Sequence, residues 1–248
     1  MKPPTSRLDA AVVARGLAVS RERARALILA GRVRVDGTVV AKAGTPVGHG
    51  AEITLIEPDH PYVGRGGVKL AHALDTFMLD VHDRLGLDVG ASTGGFTDVL
   101  LRRGARRVVA LDVGHGQIDW RLRSDPRVVV IERVNARLLT PDQLPEDART
   151  FGIITMDVSF ISVRQVLPAL VPLLAGGDLV VLVKPQFEAG REDVGKGGLV
   201  RDPGVHARVI EDVTVAADAL GLTRIAMTES PITGTEGNRE FFLHLRRS

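Results

Sequence analysis

Cysteine is absent from the 248-residue chain, which excludes disulfides, thiolate metal sites and cysteine nucleophiles. Aromatic residues make up only 4% of the composition, with one Trp and one Tyr, so few side chains can stack on nucleic-acid bases. No apolar run approaches the roughly 18 residues needed to span a bilayer, and the first ten residues lack the apolar core of a signal peptide. The sequence therefore predicts a cytoplasmic protein that does not enter a membrane.

Positive charge is concentrated at the front of the chain, although the net charge is only +2. Residues 1–65 contain ten Lys and Arg against six Asp and Glu, whereas the remaining residues have a small negative excess. A basic segment on a nearly neutral body indicates a module that binds a polyanion. The 44% hydrophobic and 25% charged residues are typical of a globular protein, which argues against wholesale disorder.

The front segment has the pattern of two short helices followed by short strands. The helices are "RLDAAVVARG" and "SRERARALILAGR", with Ser20 as N-cap and Gly31 at the C-terminal end of the second. "VRVDG" and "TVV" flank an Asp-Gly turn, and "AEITLIE" is a further strand. The spacing of Arg21, Arg25 and Arg32 predicts one basic face on the second helix, which indicates either RNA binding or simply a solvated arginine surface.

A Pro- and Gly-rich stretch, "EPDHPYVGRGG" at residues 57–67, predicts a linker. We therefore predict a first domain at residues 1–59, a linker at 60–68 and a second domain at 69–248. In the second domain, apolar strands such as "RLGLDVG", "RVVALDVG", "RVVVIE", "FGIITMDVS" and "DLVVLVKP" alternate with helical segments such as "GGFTDVLLRRG" and "VRQVLPALVPLLAGG". The alternation predicts an α/β fold with a doubly wound parallel sheet, in which ligands bind at the carboxyl ends of the strands.

The turn after the first of these strands, "DVGASTGGF" at residues 88–96, predicts a cofactor site. Its glycines allow close approach of a ligand, and the next helix offers its N-terminus. Ser92 replaces the second glycine of the G-x-G-x-x-G fingerprint, which argues against a nicotinamide-dependent dehydrogenase. Asp112 ends the next strand, 22 residues after Gly90, where a carboxylate can bind both ribose hydroxyls. Together they indicate an adenosine-containing cofactor.

Charged residues also end two later strands. Asp157 follows the fourth strand and Lys184 the fifth, so parallel neighbours would bring them to one edge of the sheet, as a catalytic pair or as a structural salt bridge. Lys69 opens a helix after a glycine-rich entry, and Glu240 begins the last strand. Taken singly, each of these two is more typical of surface charge.

The motifs resemble one known fold and two known families. The first sixty residues, through "RLD", "SR" and the residues that follow at matching spacing, resemble the S4 RNA-binding fold. Lys69, Asp157, Lys184 and Glu240 resemble the Lys-Asp-Lys-Glu tetrad of the FtsJ-like ribose 2′-O-methyltransferases. With "RGGVKL", "GASTGGFT", "ALDVG", "MDVSFIS", "LVKPQFE" and "GNREFF", nearly the whole chain resembles the TlyA family of ribosomal RNA 2′-O-methyltransferases.

This resemblance implies a Rossmann-like methyltransferase sheet behind a small α+β S4-like domain, with S-adenosylmethionine as the cofactor and no metal requirement. It also implies cytidine methylation in 16S and/or 23S ribosomal RNA, on naked RNA or on ribosomal subunits. The family also bears a haemolysin label, but no obvious pore-forming segment is present. Carbon-5 methylation is disfavoured by the missing cysteine, and methylation of a base amine by the missing prolines in "DVSF". A non-catalytic RNA-binding or ribosome-assembly factor is the alternative from another class.

The proposed roles follow the tetrad. Lys184 would be the general base for the 2′-hydroxyl, Asp157 would orient it, and Lys69 and Glu240 would orient the ribose. Partial burial and the nearby charge of Lys69 would favour the neutral amine, and Pro185 would keep Lys184 in an extended backbone. The cofactor candidates are Asp88, Gly90, Ser92, Thr93, Gly94, Gly95, Phe96, Asp112, Asn135 and Asp157. The RNA-binding candidates are Arg7, Arg21, Arg23, Arg25, Arg32, Lys42 and Arg65.

Three of these assignments have plain structural alternatives. Asn135 either binds the adenine edge or caps a loop, and Phe96 either lies near the cofactor or, as we favour, packs the helix against the sheet. The segment 188–204 is either a surface loop or a lid that orders on RNA through Arg191, Lys196 and Arg201.

Overall fold

A computed structural model describes residues 5–18, 20–29, 31–56, 60–234 and 236–247. The chain forms two compact units, Met1–Pro61 and Tyr62–Ser248. Within the described ranges, no helix is both long enough and apolar enough to cross a membrane. In the same ranges, His, Asp and Glu side chains form no group of three that could hold a metal ion.

The first unit packs two helices and short strands around a small apolar core. The helices are α1 (Leu8–Ala14) and α2 (Arg21–Leu29), and the strands are β1 (Thr5–Arg7), β2 (Val33–Val35), β3 (Thr38–Val39), β4 (Pro46–Gly48) and β5 (Ile53–Leu55). Strands β3, β2 and β5 form one antiparallel sheet, and β1 pairs with β4. The core contains Leu8, Val12, Leu27, Ile28 and Val33.

The turn signals of this unit are confirmed. The Ser20 hydroxyl accepts a hydrogen bond of 3.1 Å from the backbone N–H of Arg23, as an N-cap does. Asp36 and Gly37 both have positive φ, 49° and 78°, which the two-residue turn between β2 and β3 requires. The β1–β4 pair was not predicted, because three-residue strands leave too little alternation to detect.

A seven-stranded sheet organises the second unit. Its strands are β6 (Leu85–Val89), β7 (Arg107–Leu111), β8 (Val128–Ile131), β9 (Phe151–Met156), β10 (Leu174–Val183), β11 (Leu222–Glu229) and β12 (Phe241–Arg247). Their order is β11-β12-β10-β9-β6-β7-β8. The five strands from β6 to β10 are parallel, as predicted, whereas β12 runs antiparallel to both of its neighbours.

Helices cover both faces of this sheet, which confirms the doubly wound architecture. They are α3 (Gly66–Thr76), α4 (Gly95–Arg102), α5 (Trp120–Arg123), α6 (Leu167–Leu170), α7 (Pro185–Glu188) and α8 (Pro203–Asp218). Along β10, Val180 and Leu182 pack in the apolar cluster that contains residues of α3, α4 and α5. Val181 and Val183 point the other way, into the cluster with residues of α6 and α8.

The predicted helix over "VRQVLPALVPLLAGG" is wrong. The chain instead forms the one-turn helix α6 between two 3₁₀ turns, Val163–Gln165 and Val171–Leu173, and β10 already begins at Leu174. Pro168 and Pro172 explain the break, because a proline has no N–H to continue a helix.

The second unit includes part of the segment predicted as a linker. The backbone N–H of Val63 donates a hydrogen bond of 2.9 Å to Oδ2 of Asp98 in α4. A Cβ on Gly67 would lie 2.4 Å from the ring of Tyr62, so this glycine is needed for close packing. Helix α3 begins at Gly66, three residues before the predicted start of the second domain. This Pro- and Gly-rich stretch is therefore partly packed into the second unit, and is not only a connection between the two units.

Candidate active site

Three of the four tetrad candidates lie at one edge of the large sheet. Asp157 directly follows β9 and Lys184 directly follows β10, and these two strands are parallel neighbours. Glu240 directly precedes β12, one step beyond the antiparallel pair formed by Val183 and Phe241, so it lies opposite Lys184 in the strand register. Strand order and polarity thus bring together residues that are far apart in the sequence.

The Lys184 side chain is held by two oxygen atoms. Its Nζ lies 2.5 Å from Oδ1 of Asp157 and donates a hydrogen bond of 2.9 Å to Oγ of Ser159. The approach to Oδ1 is not along a hydrogen-bond direction, so the contact with Asp157 is mainly electrostatic. Lys184 is 8% exposed, so its amine is surrounded by protein atoms rather than by water. Its backbone is extended, with φ −112° and ψ 104°, as expected before Pro185.

Lys69 forms a second buried ion pair. Its ammonium, in the first turns of α3, contacts the carboxylate of Glu240, and both residues are buried. A buried charge that loses its partner is strongly unfavourable, so Lys69 and Glu240 require each other. The sequence argument treated Lys69 as a cation acting on Lys184. Because Glu240 compensates its charge, that repulsion is weaker than an isolated ammonium would exert.

The glycines after β6 are required by the protein itself. Gly90 has φ +83°, and a Cβ there would lie 2.3 Å from the carbonyl oxygen of Asp157. Gly94 has φ +94°, and a Cβ there would lie 2.2 Å from Cδ1 of Leu122. Close packing against protein atoms is therefore sufficient reason for both glycines, where the sequence argument invoked the approach of a ligand.

Asp112 fixes the backbone around the turn after β7. Its Oδ2 accepts a hydrogen bond of 2.8 Å from the N–H of Ser92, and its Oδ1 accepts one of 2.6 Å from the N–H of Gly114. Each carboxylate oxygen has a further lone pair, so Asp112 can still accept hydrogen bonds from a ligand. The hydroxyl of Ser92 donates to Gln117 across the same turn, at 3.2 Å.

Asp88 is fully enclosed rather than open to a ligand. Its Oδ2 accepts hydrogen bonds from the N–H and the hydroxyl of Thr97, at 2.9 and 2.7 Å, which anchors the first turn of α4. Burial raises the pKa of Asp88 to about 7, against the lowering effect of Thr97, and the negative charge of Asp157 adds to the rise. Asp88 therefore supports the glycine turn from beneath.

We expect Asp88→Asn to flatten the dependence of stability on pH. The unfolded aspartate is ionised above about pH 4, whereas the folded one takes up a proton as the pH falls below 7, so its contribution to stability is lost as pH rises through 7. Between pH 6 and pH 8 the wild type should lose roughly 1.4 kcal/mol of unfolding free energy through this group. Urea unfolding of both proteins at pH 6 and pH 8 measures this change in unfolding free energy. An equal change in the wild type and in Asp88→Asn would contradict the assignment.

The remaining cofactor candidates have different environments. Phe96 is buried and packs against Phe242, with ring centroids 6.1 Å apart, as the packing alternative predicts. Gly95 begins α4, and the carbonyl oxygen of Thr93 accepts a hydrogen bond from the N–H of Asp119. Asn135 is exposed, and its Oδ1 accepts a hydrogen bond of 3.0 Å from the N–H of Arg137, so it does cap a 3₁₀ turn.

In the first unit, three arginines share one buried carboxylate. Arg7, Arg21 and Arg25 donate hydrogen bonds of 3.1 Å to Asp9, which is completely buried, while each arginine is about half exposed. The Arg7 guanidinium, with Arg25 and Arg21, holds the pKa of the Asp9 carboxyl well below its usual range. The three arginines and Asp9 together carry a net charge of +2, and the shared carboxylate holds the guanidinium groups close together on one surface.

The other RNA-binding candidates have different positions. Arg32 lies beyond the end of α2 and donates a hydrogen bond of 3.3 Å to the carbonyl of Ile56, so the predicted single face with Arg21 and Arg25 is wrong for this residue. In the first unit, Lys42 is exposed and Arg23 is partly buried. Arg65 belongs to the second unit, where it donates a hydrogen bond of 3.4 Å to the carbonyl of Thr233.

Sequence reasoning missed three residues that organise these sites. Asp9 is in the quoted "RLD", Ser159 lies two residues after Asp157 in "MDVSFIS", and Asn238 lies two residues before Glu240 in "GNREFF". Each lies inside a motif that was already selected, and that position was the available signal. The contact partners of all three come from other elements and could not be read from spacing.

Asn238 ties two loops together. It is 1% exposed, its Oδ1 accepts a hydrogen bond of 2.9 Å from the N–H of Val200, and its Nδ2 donates one of 2.8 Å to the carbonyl of Gly198. The part of segment 188–204 nearest these residues is therefore anchored to the chain that leads into Glu240.

We expect Asn238→Ala to loosen this loop. The substitution leaves a buried N–H and carbonyl without their partner, which typically costs about 1–3 kcal/mol. Trypsin cleavage after the exposed Lys196 should become faster in the variant, whereas Asn135→Ala, which removes an exposed cap elsewhere, should leave that cleavage rate unchanged. Equal cleavage rates in wild type and Asn238→Ala would show that Asn238 does not hold the loop.

The residues at this edge fit a cofactor with hydrogen-bond donors and a ribose. Asp112 offers open acceptor positions at the end of β7, next to the turn after β6. Oδ1 of Asp157, at the end of β9, is buried and faces the amine of Lys184 at 2.5 Å, so this atom serves Lys184 rather than a ligand. The acceptors of Asp112 are those that the ribose hydroxyls of an adenosine derivative require.

Comparisons with known proteins match each unit to a known family. The FtsJ-like methyltransferase model matches residues 62–247, and the S4 domain model matches residues 6–53. A 16S/23S rRNA (cytidine-2′-O)-methyltransferase TlyA of Mycobacterium tuberculosis is 49% identical over 97% of this chain and 90% of its own length.

Solved structures agree. A chain from Streptococcus thermophilus, described as a candidate hemolysin, is 43% identical, covers 99% of this chain and 89% of its own, and has a TM-score of 0.76. An S-adenosylmethionine dependent methyltransferase from Mesorhizobium loti shares only the fold, with a TM-score of 0.52 and 16% identity over 74% of this chain and all of its own.

The fold and the site thus define an FtsJ-like methyltransferase preceded by an S4 domain. Within this class, the chain belongs to the TlyA family. Both resemblances seen in the sequence are confirmed.

Proposed function

We propose that this protein methylates the ribose 2′-hydroxyl of a cytidine in 16S and/or 23S ribosomal RNA, with S-adenosylmethionine as the methyl donor. The observation that carries the proposal is a buried lysine amine, Lys184, held by Asp157 and Ser159 at the ligand-binding edge of a methyltransferase sheet. The 49% identical relative named for cytidine-2′-O methylation supports the nucleotide and the position.

Lys184 is the proposed general base. A ribose hydroxyl is a weak nucleophile until its proton is removed, and a neutral amine at Lys184 can accept that proton. S-adenosylmethionine, when bound, supplies an electrophilic methyl group on a sulfonium. Lys184 would take the proton of the 2′-hydroxyl at Nζ, so that O2′ can receive the methyl group, and the amine would become an ammonium. Asp157, 2.5 Å away, stabilises that ammonium.

Lys69 and Glu240 are proposed to orient the ribose. Glu240 lies opposite Lys184 in the register of β10 and β12, Lys69 reaches it from α3, and both residues are buried. A fixed pair of a donor and an acceptor can hold the hydroxyls of one sugar so that the 2′-hydroxyl faces the base. Because each partner compensates the charge of the other, either substitution alone should disturb both.

The cofactor would be held at the ends of the first strands. Asp112 can accept hydrogen bonds from the ribose hydroxyls, and the turn at residues 90–95 lines the path to the methyl donor. Asp88 would act through the position of that turn, since its carboxylate is enclosed by Thr97. Phe96 would act by packing α4 against the sheet. Asn135 would bind through its side-chain NH₂ group, because its Oδ1 already accepts a hydrogen bond from the N–H of Arg137.

The first unit is proposed to bind ribosomal RNA. Arg7, Arg21 and Arg25 are arranged around Asp9 with their outer faces exposed, so their guanidinium groups can contact phosphates without further ordering. The match of residues 6–53 to the S4 domain supports this role.

Methyl transfer from labelled S-adenosylmethionine tests the proposal directly. Small subunits, large subunits and both naked RNAs, all from cells without the enzyme, should be offered separately. Label in at least one RNA substrate is the expected result, and the comparison identifies the subunit and its state of assembly. Tight cofactor binding without label in any of the four substrates would contradict the proposal and favour a non-catalytic ribosome-assembly factor.

A further inference from the structure

Ser159 is the second oxygen in contact with the proposed base, and the tetrad gives it no role. Its Oγ accepts a hydrogen bond of 2.9 Å from Nζ of Lys184. It is the third residue after β9, whereas Lys184 directly follows β10, so the contact joins two neighbouring strand ends. Ser159 is exposed, so its own O–H can reach water while Oγ receives the hydrogen bond.

The arrangement of acceptors determines where the amine can react. A neutral lysine amine has two N–H bonds and one lone pair, and only the lone pair can take the proton of a ribose hydroxyl. Ser159 fixes one N–H through a directed hydrogen bond. The carboxylate of Asp157 receives no directed hydrogen bond, but its negative charge, 2.5 Å from Nζ, attracts the other N–H and repels the lone pair, which must then point in the remaining direction.

We infer that Ser159 is a positioning residue that directs the lone pair of the Lys184 amine toward the substrate, by accepting one N–H while the charge of Asp157 attracts the other. The inference rests on the proposed function, in which Lys184 is the base. A serine suits this position because its hydroxyl accepts without adding charge. A second carboxylate would bind the ammonium more strongly and oppose loss of its proton.

Other charged groups lie near this position. Asp157 is on the same strand end, Glu240 lies opposite Lys184 in the register and is paired with Lys69, and Asp88 lies enclosed beneath the turn after β6. Glu188, at the end of α7, accepts hydrogen bonds from Ser162 and Val163 and pairs with Arg164, and burial raises its pKa. All of these groups remain in a variant of Ser159, so differences in pH dependence between the variant and the wild type report on the hydroxyl.

Ser159→Ala tests the inference. We expect the rate of a single turnover with saturating RNA and cofactor to fall by about tenfold to a hundredfold, the usual effect of one hydrogen bond to a charged group. The affinities for RNA and cofactor should not change. Because the lost hydrogen bond favoured the ammonium, the pH at which the rate reaches half of its plateau should shift downward.

Matched variants separate positioning from folding. Ser159→Thr keeps the hydroxyl and should restore most of the rate and the wild-type pH profile. Ser124→Ala removes an exposed serine hydroxyl that bonds only its own helix, and it should leave rate and profile unchanged. A wild-type rate and profile in Ser159→Ala would overturn the inference. So would equal losses in Ser159→Ala and Ser159→Thr with an unmoved profile, which indicate a structural role.

The activity of Lys184→Ala tests the proposed function separately from the role of Ser159. An inactive Lys184→Ala with a fully active Ser159→Ala would refute only the role of Ser159. Full activity in Lys184→Ala would refute the general base itself, and the role of Ser159 with it.

Discussion

Lys184→Ala should lower the rate of methyl transfer by about 10² to 10⁴, the usual contribution of a general base. The substitution removes the amine that lies between Asp157 and Ser159, while the proposed cofactor contacts at Asp112 and the turn at residues 90–95 remain. Cofactor affinity should therefore change little. Single-turnover rates with saturating RNA, together with a separate measurement of cofactor binding, distinguish a loss of chemistry from a loss of binding.

Lys184→Arg is the sharper companion variant. Arginine keeps a positive charge next to Asp157 but cannot give up its proton at ordinary pH, so it cannot act as a base. We expect it to be about as inactive as the alanine variant. Arg149→Ala, which removes an exposed arginine that pairs with Asp142 before β9, controls for the loss of one positive charge in the alanine variant. Substantial activity in Lys184→Arg would show that charge rather than proton removal is what the site needs.

The double variant Arg21→Gln with Arg25→Gln should weaken RNA binding by roughly tenfold to a hundredfold near 0.1 M salt. Each lost phosphate contact also lowers the slope of log affinity against log salt, by about 0.7 to 0.9. Both arginines contact the buried Asp9, so reversal to glutamate would place like charges together and disturb the fold. Glutamine avoids this repulsion, and Arg7 continues to pair with Asp9.

The matched control is Arg103→Gln with Arg107→Gln. It removes the same charge from the second unit, where these residues pair with Asp75 and Asp147 after α4 and at the start of β7, away from the carboxyl ends of the strands. RNA affinity titrated at several salt concentrations, with cofactor affinity measured in parallel, gives the comparison. Unchanged RNA binding and salt slope in the Arg21 and Arg25 variant would show that the Asp9 cluster is not a contact surface.

The core of the fold was predictable because its signals are local. The five parallel strands are short apolar runs, and buried parallel strands produce that pattern wherever helices cover both faces. The ends of these strands then carry Asp157 and Lys184, and parallel pairing alone places them at one edge. Glu240 could be placed once the last strand was recognised, although its antiparallel direction was not.

What remained unpredictable depends on contacts between distant residues. The spacing of Arg21 and Arg25 shows that they share a face, but not that Arg7 and a buried Asp9 complete it. The sequence shows that Gly90 and Gly94 lie in a glycine-rich loop. Only the folded chain shows why glycine is needed there: a Cβ would collide with Asp157 at position 90 and with Leu122 at position 94. The broken helix around α6 was a misreading of Pro168 and Pro172, whose effect was available in the sequence.

The most direct test of the central claim is the chemical position of the transferred methyl group. A methyl group on O2′ blocks alkaline cleavage of the neighbouring phosphodiester bond, because that cleavage needs a free 2′-hydroxyl. Ribosomal RNA labelled by the wild-type enzyme should therefore yield its label in alkali-resistant dinucleotides that begin with cytidine. Label in ordinary mononucleotides after alkali would show that the methyl group is on a base, and would contradict a site built around a lysine that activates ribose.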